Sequence, residues 1–213
     1  SLISTPMSGY SNYKASRTSF GINVMNSIVV EIESDDGTIG ISAGQGGAPA
    51  CYIIEKHFKR FLIGQDPRSL NQMWDQMYRS SLFYGGKGLP LWALSVVDVA
   101  LWDLLGLLRG EPVYQMIGGA VRDEVPLYCT GIRPDIAKEN GFIGGKMPLS
   151  YGPVDRLDGI RKNRDKFFDM RQKVGEDFLL MADCWMSLDV PYAVELAEAM
   201  KDVKLYWFEE VLQ

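Results

Sequence analysis

Phe178-Leu179-Leu180-Met181-Ala182-Asp183 is the stretch on which the fold turns. It is a short apolar run that ends in a carboxylate, and it has companions. Val125 to Thr130, Phe142 to Met147 and Lys204 to Phe208 are also short apolar runs, most of them separated by helix-like stretches at Asp155 to Val174 and Pro191 to Met200. Strands alternating with helices imply parallel βαβ units. Asp189 reads as the N-cap of the helix that contains Pro191, whose ring is tolerated in a first turn. A closed (β/α)₈ barrel needs about 250 residues. The stretch from Val125 to Gln213 has room for only about three of its units, and the chain stops just after the fourth strand, so the expectation is a longer protein of which this is a part.

Toward the N-terminus the rhythm is different. Two β-branched runs flank Asp35-Asp36-Gly37-Thr38, a hairpin signal. Between Pro49 and Ile63 the apolar residues Ile53, Ile54, Phe58, Phe61 and Leu62 fall near helical spacing, and Gly64 ends the segment. A second helix is expected from Ser69, a candidate cap, to Ser81, with Leu70, Met73, Trp74 and Met77 as its buried stripe. The run from Leu89 to Leu108 is apolar enough to suggest a membrane span. It carries Asp98 and Asp103, each costing about 2.5–3.5 kcal/mol near a bilayer centre, so a buried core helix from Pro90 to about Leu108 fits better. Sheet first and helices after is an α+β pattern. The resulting division is an α+β domain over residues 1–120 and an α/β region over 121–213.

Composition narrows the functions. The 213 residues are 46% hydrophobic and 23% charged, which excludes disorder and low complexity. A net charge of −5 argues against nucleic acid and anionic membrane as partners. Cys51, Cys129 and Cys184 are odd in number and widely spaced, neither a disulfide framework nor a thiolate metal motif, and a reducing cytoplasm is the expected compartment. The start, Ser-Leu-Ile-Ser-Thr-Pro, has no basic n-region or apolar h-region, so no secretory signal is read there. The glycine loops at 44–47 and 85–88 match neither phosphate-binding signature, which disfavours nucleotides.

Chemistry is sought at the strand ends. Leu179, Met181 and Asp183 alternate onto one face, as do Leu205, Trp207 and Glu209. Sites in parallel α/β folds form at the carboxyl ends of strands, which would bring Asp183 and Glu209 together. Two close carboxylates repel unless a cation lies between them, and all-oxygen ligation suits a hard ion such as Mg²⁺. The plain alternative is that Asp183 caps a turn and that Glu209 and Glu210 are solvated. On the second strand Gly144 and Lys146 share a face, so Lys146 could pair with a substrate carboxylate or exchange a proton. A solvated charge is the alternative there too. His57, the single histidine, reads as a surface or half-buried residue, and Cys184 as a packed thiol.

The joint order of these segments carries a resemblance. An antiparallel sheet with helices, then Ala93-Leu94-Ser95-Val96-Val97-Asp98-Val99-Ala100-Leu101-Trp102-Asp103, Gly141-Phe142 with Lys146, Asp183 and Trp207-Phe208-Glu209-Glu210 resembles the mandelate-racemase-like branch of the enolase superfamily. The segments 16–24 and 141–149 look most like its rhamnonate dehydratase group. The resemblance implies an α+β capping domain followed by a (β/α)₈ TIM-type barrel, here cut after about the fourth strand. It also implies three acidic Mg²⁺ ligands, of which Asp183 matches the first and Glu209 the second; the third and a catalytic His would lie beyond Gln213. The implied reaction removes a proton α to a carboxylate, with the enediolate stabilised by Mg²⁺, and then expels the β-hydroxyl of a sugar acid to leave a 2-keto-3-deoxy acid.

In this frame Lys146 is the catalytic candidate, Arg17 reaches over the barrel mouth to fork onto substrate oxygens, and Trp185 walls the pocket. The sequence departs from the family where many relatives carry Lys-x-Lys, since Lys146 is followed by Met147-Pro148 and proline cannot act as a base. Homo-oligomers are common in the family. These 213 residues alone would lack a full ligand set and are expected to be inactive. Racemisation or cycloisomerisation of another carboxylate, and a non-catalytic half-barrel module, are the competing functions.

Overall fold

A computed structural model describes residues 3–13 and 25–213 of the chain. Contacts divide the chain into two compact units, Ile22–Asp123 and Glu124–Gln213, with the N-terminal residues belonging to the latter. This differs from the expected division in two ways. The boundary falls between Asp123 and Glu124, and residues 3–13 join the second unit, where the Ser4 amide donates to the Leu149 carbonyl at 3.0 Å. Arg17 lies outside the described residues.

The first unit opens with the expected hairpin. Strands β1 (Ser27–Glu33) and β2 (Ile39–Gln45) pair antiparallel, Ser27 opposite Gln45 and Glu33 opposite Ile39. The turn between them is built by Asp36, whose carboxylate accepts from the Thr38 amide at 2.9 Å and the Ser34 hydroxyl at 2.6 Å, and by Gly37 at φ +85°. Helical backbone follows from Gly47 to Phe61, but not as one regular helix. Helix α1 (Gly47–Ile53) passes into a π turn (Ile54–Phe58) and then a 3₁₀ turn (Lys59–Phe61). The π turn shifts the phase of the helix by inserting a residue into one turn, and Phe58 at its end is wholly buried.

Helix α2 (Leu70–Ser81) buries Leu70, Met73 and Met77. Ser69 stands at its N-cap, yet its hydroxyl makes no capping bond; the Ser69 carbonyl accepts from the Met73 amide instead. Helix α3 (Leu89–Arg109) is long and apolar enough to cross a membrane by length and composition. Its Ala93, Leu94, Val97, Ala100, Leu101 and Leu104 are buried, and Gly40 lets its backbone lie directly on β2. Asp103, one of the two carboxylates in the run, accepts from the Ile41 amide at 2.8 Å. A short helix α4 (Val113–Met116) completes the unit.

In the second unit four strands, β3 (Tyr128–Thr130), β4 (Gly144–Pro148), β5 (Leu179–Asp183) and β6 (Phe208–Glu209), form a parallel sheet in that order. Helices α5 (Pro134–Glu139), α6 (Arg156–Val174) and α7 (Val190–Ala199) connect them in sequence. One face of the sheet supplies Met147, Leu180 and Ala182 to a core completed by Ile160, Phe167, Val174, Leu196 and Met200 from α6 and α7. The first and last strands are shorter than the apolar runs suggest. Lys204 turns into the left-handed region at φ +53° after a 3₁₀ turn, which delays pairing, although the Tyr206 amide already reaches the Leu180 carbonyl at 2.8 Å.

Two side chains on α6 and one at the head of α7 hold the connections. Arg171 is buried and donates to four carbonyls, those of Val203 (2.9 Å), Gly175 (2.6 Å), Phe178 (2.7 Å) and Lys204 (3.0 Å), which secures the segments leading into β5 and β6. Asn163, wholly buried, accepts from the Ser150 and Tyr151 amides and donates to the Tyr151 carbonyl after β4. Asp189 caps α7 as expected, accepting from the Tyr192 amide at 2.9 Å.

Candidate metal centre

The sheet face opposite that core carries the polar residues. Strand register sets Thr130 beside Lys146, Pro148 beside Asp183, and Asp183 beside Glu209. Because side chains alternate along a strand, Lys146, Asp183 and Glu209 all project from one face. Lys146 starts one pleat below the two carboxylates and extends up to them. Its ammonium lies 3.3 Å from Asp183 Oδ2 and donates to Glu209 Oε1. Lys146 and Asp183 are buried, whereas the Glu209 side chain is one-third exposed (33%).

Electrostatics follow from this triad. Burial works against the Lys146 ammonium, but the hydrogen bond to Glu209 and the negative charges of Asp183 and Glu209 outweigh it, and its pKa ends above the ordinary lysine value. Lys146 is thus held as a cation between two anions. The neighbouring Cys184 thiol is pushed up to about 12, by burial first and then by Asp183 and Glu209, which makes it a packing residue rather than a nucleophile. His57 sits in the other unit, where its Nδ1 shares a hydrogen bond of 2.6 Å with the Tyr84 hydroxyl.

The backbone that follows the two carboxylates is unusual. Trp185, Met186 and Glu210 all adopt positive φ (52°, 53° and 46°), the conformation L-residues avoid, and such residues cluster where a site is built. Cross-links hold them: the Met186 amide donates to the Glu210 carbonyl at 2.6 Å, and the Ser187 hydroxyl to the Cys184 carbonyl at 2.7 Å. Trp185 donates its amide to Asp183 Oδ1 at 3.2 Å.

Sequence reasoning brought Lys146, Asp183 and Glu209 together but overlooked two neighbours. The Trp207 indole N–H donates to Glu209 Oε2 at 3.2 Å, a bond that the shared face of Trp207 and Glu209 could have suggested. Lys166 on α6 donates to the Pro148 carbonyl (2.8 Å) and the Ser150 hydroxyl (3.0 Å) just after β4, and burial lowers its pKa to about 8. Nothing in the spacing of Lys166 distinguishes it from the exposed lysines on the same helix. Among the described residues no cluster of three or more His, Cys, Asp or Glu is formed, so the site offers two carboxylates. Both are hard oxygen donors already gathered around a positive charge, a donor set that fits Mg²⁺ in part.

The mandelate racemase/muconate lactonizing enzyme N-terminal domain family matches residues 12–118. The chain belongs to this family. It is an enolase-superfamily member whose first unit is the N-terminal capping domain and whose second carries the parallel sheet. A solved rhamnonate dehydratase from Gibberella zeae superposes with a TM-score of 0.96 at 53% identity, covering 100% of this chain and 54% of that one. The same enzyme complexed with Mg gives 0.95 at 54% identity, covering 99% and 52%. In Caldivirga maquilingensis, a protein named "Putative L-rhamnonate dehydratase" is 52% identical over 208 residues, 98% of this chain and 52% of the relative. The chain therefore spans about half the length of the relatives it matches.

Proposed function

We propose that the chain is the capping domain and first barrel half of an Mg²⁺-dependent acid-sugar dehydratase acting on L-rhamnonate or a close analogue. The observation that carries this reading is the meeting of Asp183, Glu209 and Lys146 at neighbouring strand ends. Asp183 and Glu209 would hold the metal, with a third ligand supplied from outside these residues. Mg²⁺, when bound, offsets the second negative charge that a carboxylate gains on losing its α-proton. Lys146, kept cationic by its neighbours, adds positive charge beside the substrate carboxylate and can return a proton as an acid; Pro148 leaves no second lysine to act as a base on this strand. Arg17 would fork onto substrate oxygens and Trp185 would close the pocket wall. The general base for the α-proton, a histidine in this reading, would be supplied from outside these residues, as the resemblance to the rhamnonate dehydratase group implies. Homo-oligomeric assembly in the cytoplasm belongs to the same reading.

The test is a screen of acid sugars with the full-length protein and Mg²⁺, following the 2-keto-3-deoxy product by its carbonyl. Turnover of L-rhamnonate that disappears in Asp183→Ala supports the proposal. Accumulation of an α-epimer would select racemisation instead, and unchanged turnover and Mg²⁺ binding in Asp183→Ala would remove Asp183 from the site. The 213-residue chain by itself is expected to be inactive, because two carboxylates without a third ligand or a base leave the α-proton in place.

A further inference from the structure

Glu209 is gripped from two sides. Its Oε1 receives Lys146, and its Oε2 receives the indole N–H of Trp207, two residues earlier on the same face. The Trp207 ring is itself held in place. Tyr128 meets it edge to face, with centroids 5.4 Å apart and planes at 82°, and Tyr206 lies against it at 5.2 Å.

The contact with Tyr128 crosses the whole sheet. Tyr128 stands on β3 and Trp207 precedes β6, three strand spacings away, which is about 14 Å along the sheet. Gly144, the β4 partner of Tyr128, carries no side chain between them; a Cβ there would come within 2.7 Å of the Leu179 carbonyl oxygen and 3.2 Å of the Met181 methyl. The rings of Tyr128, Trp207 and Tyr206 are thus in contact, and the indole N–H points at a carboxylate oxygen of Glu209.

We infer that Trp207, backed by Tyr128, is a positioning residue that fixes the orientation of the Glu209 carboxylate for a divalent cation. The inference rests on the proposed metal role of Glu209. A glutamate has three rotatable side-chain bonds, and on a strand end one-third exposed it would otherwise sample several directions. A hydrogen bond to one oxygen selects the rotamer and leaves the other oxygen free to turn from Lys146 to a metal. Hydrogen-bond partners behind metal ligands typically contribute about 10- to 100-fold in metal affinity.

The experiment measures Mn²⁺ binding to the full-length protein by electron paramagnetic resonance, with no substrate present. Trp207→Phe keeps a ring against Tyr128 and removes the N–H, and should weaken binding about tenfold. Replacement of Trp207 by benzothienylalanine, which exchanges the N–H for sulfur in a ring of nearly the same shape, should weaken it equally and guards against a packing effect. Glu209→Gln tests the underlying site. If the wild-type protein binds Mn²⁺, Glu209→Gln loses it and both Trp207 variants bind as the wild type does, the positioning role is overturned while the metal site stands. If the wild-type protein does not bind Mn²⁺, or Glu209→Gln still binds it normally, both fall.

Discussion

Replacing Lys146 with methionine keeps the length of the side chain and removes the one cation between Asp183 and Glu209. At 3.3 Å, opposite unit charges in an environment of effective dielectric about 20 attract by about 5 kcal/mol. Most of that gain is offset by burying the ammonium, and Glu209 is partly hydrated, so the gross figure greatly overstates the contribution. Removing one partner of a buried pair costs about 3–5 kcal/mol, much of it from the charges left behind. With the discount for Glu209, Lys146→Met should lose about 2–4 kcal/mol at pH 7. The pH dependence has a definite sign. The folded-state pKa of Lys146 is raised above 10.5, so its contribution is complete below that pH and is lost as pH climbs through the folded value. Urea unfolding followed by tryptophan emission, at pH 7 and pH 11, measures the gap between wild type and variant. The gap should narrow at pH 11, and 10 mM Mg²⁺ should stabilise the variant at pH 7 by occupying the space between the carboxylates. A gap below about 0.5 kcal/mol at pH 7, or one of the same size at both pH values, would refute the argument that Lys146 holds the two anions together.

Three further substitutions test the frame around the site. Arg171→Met strips four carbonyls of their donor and should cost about 3–5 kcal/mol in urea unfolding. Lys166→Met tests the opposite pH sign. Its folded pKa of about 8 lies below the ordinary 10.5, so carrying the charge destabilises the fold at pH 8 and the penalty fades toward pH 10.5. Across that window the wild type should gain up to about 3 kcal/mol relative to the variant, read as the difference between their unfolding curves. Gly40→Ala would place a Cβ 2.3 Å from the Ala100 carbonyl oxygen and 2.5 Å from the Leu104 Cβ, both on α3. Because the obstacle is helix backbone, a loss of about 3 kcal/mol is expected, seen as a lowered thermal midpoint.

What was legible in the sequence was alternation. The hairpin around Gly37, the buried stripe of α2 and the apolar runs of β4 and β5 each follow from a period that local chemistry imposes. The same period of two put Asp183 and Glu209 on one face, and parallel topology then made them neighbours. Length was less legible where a strand is defined by its partner: the run at 204–208 is apolar, but Lys204 turns away from the sheet and only Phe208 and Glu209 pair with β5 as a strand. The π turn at 54–58 was invisible for a related reason, since it is the packing of Phe58 that rewards the change of phase.

Periodicity assigns a residue to a face, not to a partner, and the site depends on partners. Lys146 and Lys166 look alike in the sequence, each a lysine near apolar residues. Their surroundings drive their pKa values in opposite directions: burial alone lowers that of Lys166, whereas at Lys146 two facing carboxylates outweigh burial and raise it. Trp207 shows the same limit from the other side. Its spacing from Glu209 was visible, yet an aromatic residue at that spacing reads equally well as core. Its bond to Glu209 acquires meaning only when the Tyr128 ring, from the opposite edge strand, is seen set against the indole. Removing the Tyr128 ring should therefore loosen the Glu209 carboxylate through the Trp207 indole that lies between them.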